Sequence, residues 1–198
     1  FAMFYTIMAI PIALIADKHN RVRIISIGAI VWSVFTVMSG LASTPGMFAL
    51  SRVGVGIGEA AFLAPAYSLL SDYFAPRKRA MAFAVLNLGV YLGQISGAAG
   101  GPMIAEAYTW KTAFLALGIP GVVLGIVTLL TVKEPERGRL DGTMISKATL
   151  PFMTSFGALI RKKSYVYILI GAALGGFGGY GFGYWGVALF ERAFELSN

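Results

Sequence analysis

Two opposite charges, Arg52 and Glu59, stand seven residues apart inside an otherwise apolar segment. On an α-helix that spacing is two turns, about 10 Å of rise along one face. A charge at the centre of a bilayer costs about 2.5–3.5 kcal/mol on insertion scales, so such residues normally face a watery cavity or a partner within a bundle. A carboxyl that gains and loses a proton at that depth is a candidate proton carrier, the role expected of Glu59. Arg52, nearer the end of the segment, can bind an anionic solute group or hold Glu59 ionised. The competing reading is an ion pair that locks helices together.

Further polar groups lie in other apolar stretches. Asn87, Tyr91 and Gln94, spaced four and three apart, form a polar stripe on one helix face. Such a stripe lines a cavity or makes hydrogen bonds between helices. Nearly opposite it, Gly89, Gly93, Gly97 and Gly101 recur every four residues and suit close packing or bending. Tyr180 sits deep in a glycine-rich stretch and is a candidate solute contact, whereas Tyr184 and Trp185 also fit an interfacial aromatic belt. Other chemistry has no footing. The chain has no cysteine and one histidine, His19, which excludes disulfides and thiolate sites and leaves no histidine cluster for zinc. No cofactor or metal is expected.

The elements that must hold these residues are membrane helices. Of 198 residues, 57% are hydrophobic and 13% charged, against about 25% charged in soluble domains. Mean hydropathy is +0.75. Uncharged runs over Phe1–Ala16, Ile24–Ser51, Ala80–Ala105, Thr112–Val132 and Ser164–Phe190 approach or exceed the roughly 20 residues a crossing needs. The turn Ser43-Thr44-Pro45-Gly46 divides the second run, and the helix after it is read as continuing through Arg52 and Glu59 to about Ser71. Six crossings are expected, in an all-α integral membrane fold. The chain opens in an apolar run without a methionine or a basic leader, and a truncated start is the expectation.

Charge distribution orients them. Thirteen of the sixteen Lys and Arg fall in Asp17–Arg23, Asp72–Arg79 and Lys133–Lys163, which are alternate connections on one side. Excess Lys and Arg mark the cytoplasmic face, so the net charge of +7 is matched to anionic lipid headgroups and calls for no nucleic acid. Within the long Lys133–Lys163 connection, Pro151 permits a helix start, and Phe152, Phe156, Leu159 and Ile160 share one face before Arg161-Lys162-Lys163. That reads as an amphipathic helix at the cytoplasmic interface, within a linker between two bundles. In the loop Asp17–Arg23, Asp17 can pair with cations or cap a helix N-terminus, and Asn20 suits a left-handed turn; a tight solvated turn explains the same residues.

Several motifs, in order, resemble the major facilitator superfamily, and specifically its Spinster branch. Ala13 to Arg23 is similar to the family's loop signature Gly-x-Leu-Ala-Asp-Arg-x-Gly-Arg-Arg, with Asp17 and Arg21 matching its anchors, Lys18 replacing an Arg, and Ala13 and Asn20 at the glycines. Arg52 to Ala60 resembles the fourth-helix signature, and Asp72–Arg79, the glycine ladder ending in Pro102, Trp110–Phe114 and Lys133–Arg137 follow in family order. The resemblance implies that the six crossings are the family's second to seventh. Residues 1–133 would then be most of an N-terminal bundle, 134–163 the interbundle linker, and 164–198 the first helix of a C-terminal bundle. It implies a secondary active transporter working by rocking of two bundles, proton-coupled, for an amphiphilic or organic anionic solute such as a lysophospholipid or sphingoid lipid. It also implies a cytoplasmic gate holding Asp17, Lys18, Arg21, Asp72 and Arg79. A sugar-acid symporter is the neighbouring reading, and a non-transporting membrane receptor or scaffold the reading of another class. Lipid bilayer, solute, protons and the remaining helices of the fold are the expected partners.

Overall fold

Glycine, proline and cap residues decide where the helices begin, end and touch. A computed structural model of the chain describes residues 1–138, 140 and 152–194. It divides into two compact units, Phe1–Ile145 and Ser146–Asn198. The first holds α1 (Ala2–Lys18), α2 (Arg21–Gly40), α3 (Pro45–Glu59), α4 (Leu63–Tyr73), α5 (Pro76–Ala107) and α6 (Trp110–Thr131). The second holds α7 (Phe152–Ile160) and α8 (Lys163–Phe194). Residues 134–138 fall in the first unit, and α7 falls in the second with α8.

Among the described residues, five segments are long and apolar enough to cross a membrane: Arg21–Gly40, Pro45–Tyr73, Pro76–Ala107, Trp110–Thr131 and Lys163–Gly183. The sixth, α1, has 17 residues, the lower limit for a crossing. Side-chain caps start three of these helices. Asn20 accepts from the Arg23 amide at 2.8 Å, Thr44 from Met47 at 3.2 Å and Thr109 from Thr112 at 3.2 Å, each satisfying an amide the first turn leaves without a helical partner. Asn20 therefore serves as an N-cap with extended backbone, φ −64° and ψ 114°, rather than in the left-handed turn expected for it.

The third crossing is not one continuous helix. α3 ends at Glu59, and α4 begins at Leu63. The chain between them tightens, with the Ala61 amide donating to Gly58 O and the Phe62 amide to Glu59 O, both at 3.1 Å. Pro65 supplies the reason: it has no N–H to give the carbonyl four residues back, and its ring opposes helical backbone there. The break follows directly on Glu59, the middle residue of the Pro45–Tyr73 span.

Small residues let α2 form the centre of the first unit, packed against α3 and α6. A Cβ on Gly58 of α3 would stand 2.6 Å from the Trp32 amide nitrogen, and one on Gly118 of α6 would stand 2.7 Å from Val37 Cγ2. A buried hydroxyl pair, Ser39 and Ser51 at 2.7 Å, joins α2 to α3. The ladder of Gly89, Gly93, Gly97 and Gly101 on α5 has a different setting: no atom lies within 4 Å of a Cβ added at any of them. The close packing expected there is met by no described residue.

Candidate functional site

Arg52 and Glu59 lie two turns apart on α3. Glycine sets their surroundings. Gly54 and Gly58 pack α3 on α2, while Gly56 faces the opposite neighbour, where an added Cβ would be 2.9 Å from Phe1 O. This close approach brings the start of α1 against α3. The half-buried Arg52 consequently has its guanidinium 5.7 Å from the Phe1 ring centre and 5.9 Å from that of Phe114 on α6. Phe114 is itself held edge-to-face by Phe48 and Trp110, at 5.7 and 6.1 Å. Ring faces attract a cation through their quadrupole and leave the guanidinium N–H groups uncommitted. Among the described residues no carboxylate forms an ion pair with Arg52 and no acceptor takes a hydrogen bond from it.

Glu59 is exposed at the end of α3, and its carboxylate has no hydrogen-bond partner among the described residues. Arg52 acts on it through space. About 10 Å apart at an effective dielectric near 20, the two charges attract by about 1–2 kcal/mol. That is less than the insertion cost of either charge, so the pair is not a self-sufficient structural lock. The site has a cation held by aromatic faces with free donors, and a carboxyl without a fixed partner, at the break of a membrane span.

The polar stripe on α5 separates into two kinds of residue. Asn87 Nδ2 donates to Phe83 O at 2.8 Å and to the Tyr67 hydroxyl at 2.9 Å, tying α5 to α4. Tyr91 and Gln94 are exposed. Tyr180 belongs to α8 in the second unit, where it lines a shallow groove with Phe177, Gly181 and Trp185.

At the other end of the first unit, the expected gate residues Arg21 and Asp72 meet in a buried cluster. Arg21, 2% exposed, donates through Nη1 to Asp72 Oδ2 at 2.5 Å and through Nε to Glu134 Oε1 at 2.7 Å. Nη1 also reaches the Ser68 carbonyl and hydroxyl, at 3.0 and 2.9 Å. Glu134 Oε2 accepts from the Val22 amide at 3.0 Å, placing an anion at the α2 N-terminus where the helix dipole favours it. Gly138, at φ 70°, turns its amide onto Asp72 Oδ1 at 3.0 Å. Arg137 reaches across to α1, donating to the carbonyls of Ala16 and His19 at 2.6 and 2.7 Å and to that of Asp17.

The remaining gate candidates lie outside this cluster. Lys18 is exposed, and Asp17 contributes its backbone carbonyl while its side chain is exposed and caps no helix. Arg79 Nε closes the end of α4, donating to Ser71 O and Phe74 O at 2.9 and 3.2 Å. Sequence reasoning missed Glu134, Arg137 and Ser68 as members. The available signal was the charged run Lys133–Arg137 directly after a crossing, on the same side as Arg21.

A sequence model described as Major Facilitator Superfamily matches residues 1–197. An MFS-type efflux pump of Mycolicibacterium smegmatis is 28% identical over 91% of this chain and 41% of its own length. The sphingosine-1-phosphate transporter SPNS2 of Danio rerio is 30% identical over 86% of this chain and 35% of its own. Among solved structures, a bacterial homolog to the human lysosomal transporter Spinster, inward-facing and unoccupied, superposes with a TM-score of 0.70 at 32% identity, over 99% of this chain and 47% of that one. The chain thus spans less than half the length of these relatives.

Proposed function

Because the chain belongs to the major facilitator superfamily, we propose that it supplies the solute anion site and the proton carrier of a secondary active transporter with a Spinster-like solute. The observation that carries this reading is the state of Arg52: a guanidinium positioned by the Phe1 and Phe114 rings and committed to no acid of its own. Such a group is ready for a phosphate or carboxylate, which its planar fork can grip at two points. Glu59, with no fixed partner two turns inward, carries the coupled proton. Asn87, Tyr91, Gln94 and Tyr180 belong to the solute pathway in this reading. The solute is an amphiphile with an anionic head, of the lysophospholipid or sphingoid-phosphate class, in keeping with the transporter relative of Danio rerio.

Alternating access needs a cytoplasmic closure that forms and releases. The cluster of Arg21, Asp72 and Glu134 serves as its anchor, with Asp17, Lys18 and Arg79 on the surrounding loops. The protein sits in the cell's inner membrane with Lys133–Lys163 on the cytoplasmic side, following the excess of Lys and Arg there.

The test is uptake into proteoliposomes by a full-length transporter containing this chain, comparing labelled lysophospholipid with labelled glucuronate under an imposed pH gradient. Lysophospholipid uptake is expected. Arg52→Ala should weaken solute binding by about 30-fold or more, the effect of removing one partner of a desolvated charge pair at 2–5 kcal/mol, and Arg52→Lys should recover part of it. Uptake of glucuronate alone would reassign the solute class, and unchanged binding in Arg52→Ala would remove the anion site.

A further inference from the structure

The second unit contains a surface that the transport reading does not use. α7 has nine residues, about 14 Å of helix, far short of the roughly 30 Å hydrocarbon core. Phe152, Phe156, Leu159 and Ile160 share one face, and all four are exposed, as is Met153 at 76%. Phe152 and Phe156 stack with ring centres 5.7 Å apart and planes 20° from parallel.

The turn that joins α7 to α8 is short and basic. The Arg161 amide donates to Gly157 O at 3.3 Å, the Lys162 amide to Leu159 O at 3.0 Å, and the Val166 amide to Lys162 O at 3.2 Å. Arg161, Lys162 and Lys163 therefore stand together between the apolar helix and the first turn of the Lys163–Gly183 span. No Asp or Glu occurs between Asp141 and Glu191, so no carboxylate in this stretch neutralises them. Exposed Tyr167, one turn into α8, is of the type that settles at headgroup depth.

We propose that α7 and the Arg161–Lys163 turn form a docking surface for the anionic phospholipids of the cytoplasmic leaflet, with the apolar face of α7 inserted at the acyl boundary and the three cations on lipid phosphates. Continuity selects this occupant. α8 enters the bilayer at Lys163, and two residues reach at most about 7 Å, so the end of α7 stays at the membrane surface. There an exposed apolar face beside a cation cluster meets acyl chains and phosphates, the two contacts that hold an interfacial helix. The inference rests on membrane insertion of α8 and is independent of the solute.

The absence of native cysteine permits single labels. The chain would be reconstituted in phosphatidylcholine vesicles with or without phosphatidylglycerol, carrying a dye on Phe156→Cys, Thr154→Cys or Gly175→Cys. Phe156→Cys should be shielded from aqueous iodide and quenched by lipid-borne quenchers when phosphatidylglycerol is present, while Thr154→Cys, on the opposite side of α7, stays open to iodide. Adding Arg161→Gln or Lys162→Gln should lower the ratio of docked to undocked α7 about five-fold for each cation removed. Gly175→Cys should stay shielded throughout, reporting that α8 still crosses. Equal iodide access at positions 156 and 154 with position 175 shielded would overturn the docking surface. Shielding of position 156 that ignores both phosphatidylglycerol and the Gln substitutions would overturn its anionic character.

Discussion

Arg52 and Glu59 differ in what holds them, and the tasks proposed for them follow that difference. Arg52 is fixed by rings on α1 and α6, so its position survives arrival and departure of an anion. The Glu59 carboxylate has no such fixture, which suits the proposed proton carrier. Glu59→Gln keeps the size and polarity of the side chain and removes the titration. With Glu59→Gln, expression and solute binding should persist while gradient-driven accumulation falls to the level of a gradient-free control. Uptake with and without an imposed pH gradient measures this, and a variant that still responds to the gradient would exclude Glu59 as the carrier. The spacing of the pair was legible because it lies within one helix. The rings around Arg52 were not, since Phe1 and Phe114 are brought there by packing between helices distant in sequence.

At the scale of elements, glycine has two meanings that its spacing alone does not separate. Gly58 permits contact between backbones: a Cβ there would lie 2.6 Å from the Trp32 nitrogen and 3.0 Å from Gly28 O, and neither backbone atom can swing aside. Gly89 has nothing within 4 Å. Gly58→Ala should therefore cost about 1–3 kcal/mol as an overpacking change, whereas Gly89→Ala should be neutral or stabilise by up to about 1 kcal/mol through helix propensity. Thermal unfolding in detergent, followed by tryptophan fluorescence, compares them; equal losses would mean that Gly89 is packed as closely as Gly58. The apolar runs were readable because bilayer thickness sets their length locally. The interruption after Glu59 was passed over, although Pro65 carried the signal, because apolarity continues unchanged across the break.

At the scale of the molecule, the sidedness of charge was readable from counts of Lys and Arg, but the wiring of those charges was not. Arg21 finds Glu134 across 113 positions of sequence, and no local pattern names that partner. The resulting cluster joins α2, α4 and the segment after α6, while Arg137 extends it to α1. Its members are unequally buried: the side chains of Arg21, Asp72 and Glu134 are 2%, 9% and 20% exposed. Removing the shared cation leaves two carboxylates facing each other with no counter-charge, and breaking a buried pair in this way costs about 3–5 kcal/mol. Asp72→Asn leaves Arg21 one acid and retains an oxygen acceptor. Glu134→Gln acts at the most exposed member and can still accept from the Val22 amide. The expected order of destabilisation is Arg21→Ala, then Asp72→Asn, then Glu134→Gln, read from unfolding midpoints in detergent. The same order should appear in the aqueous accessibility of a cysteine placed at Ser68, because loosening the cluster opens the C-terminal end of α4. If Glu134→Gln proves as damaging as Arg21→Ala, the cluster depends on the strap after α6 rather than on the buried cation at its centre.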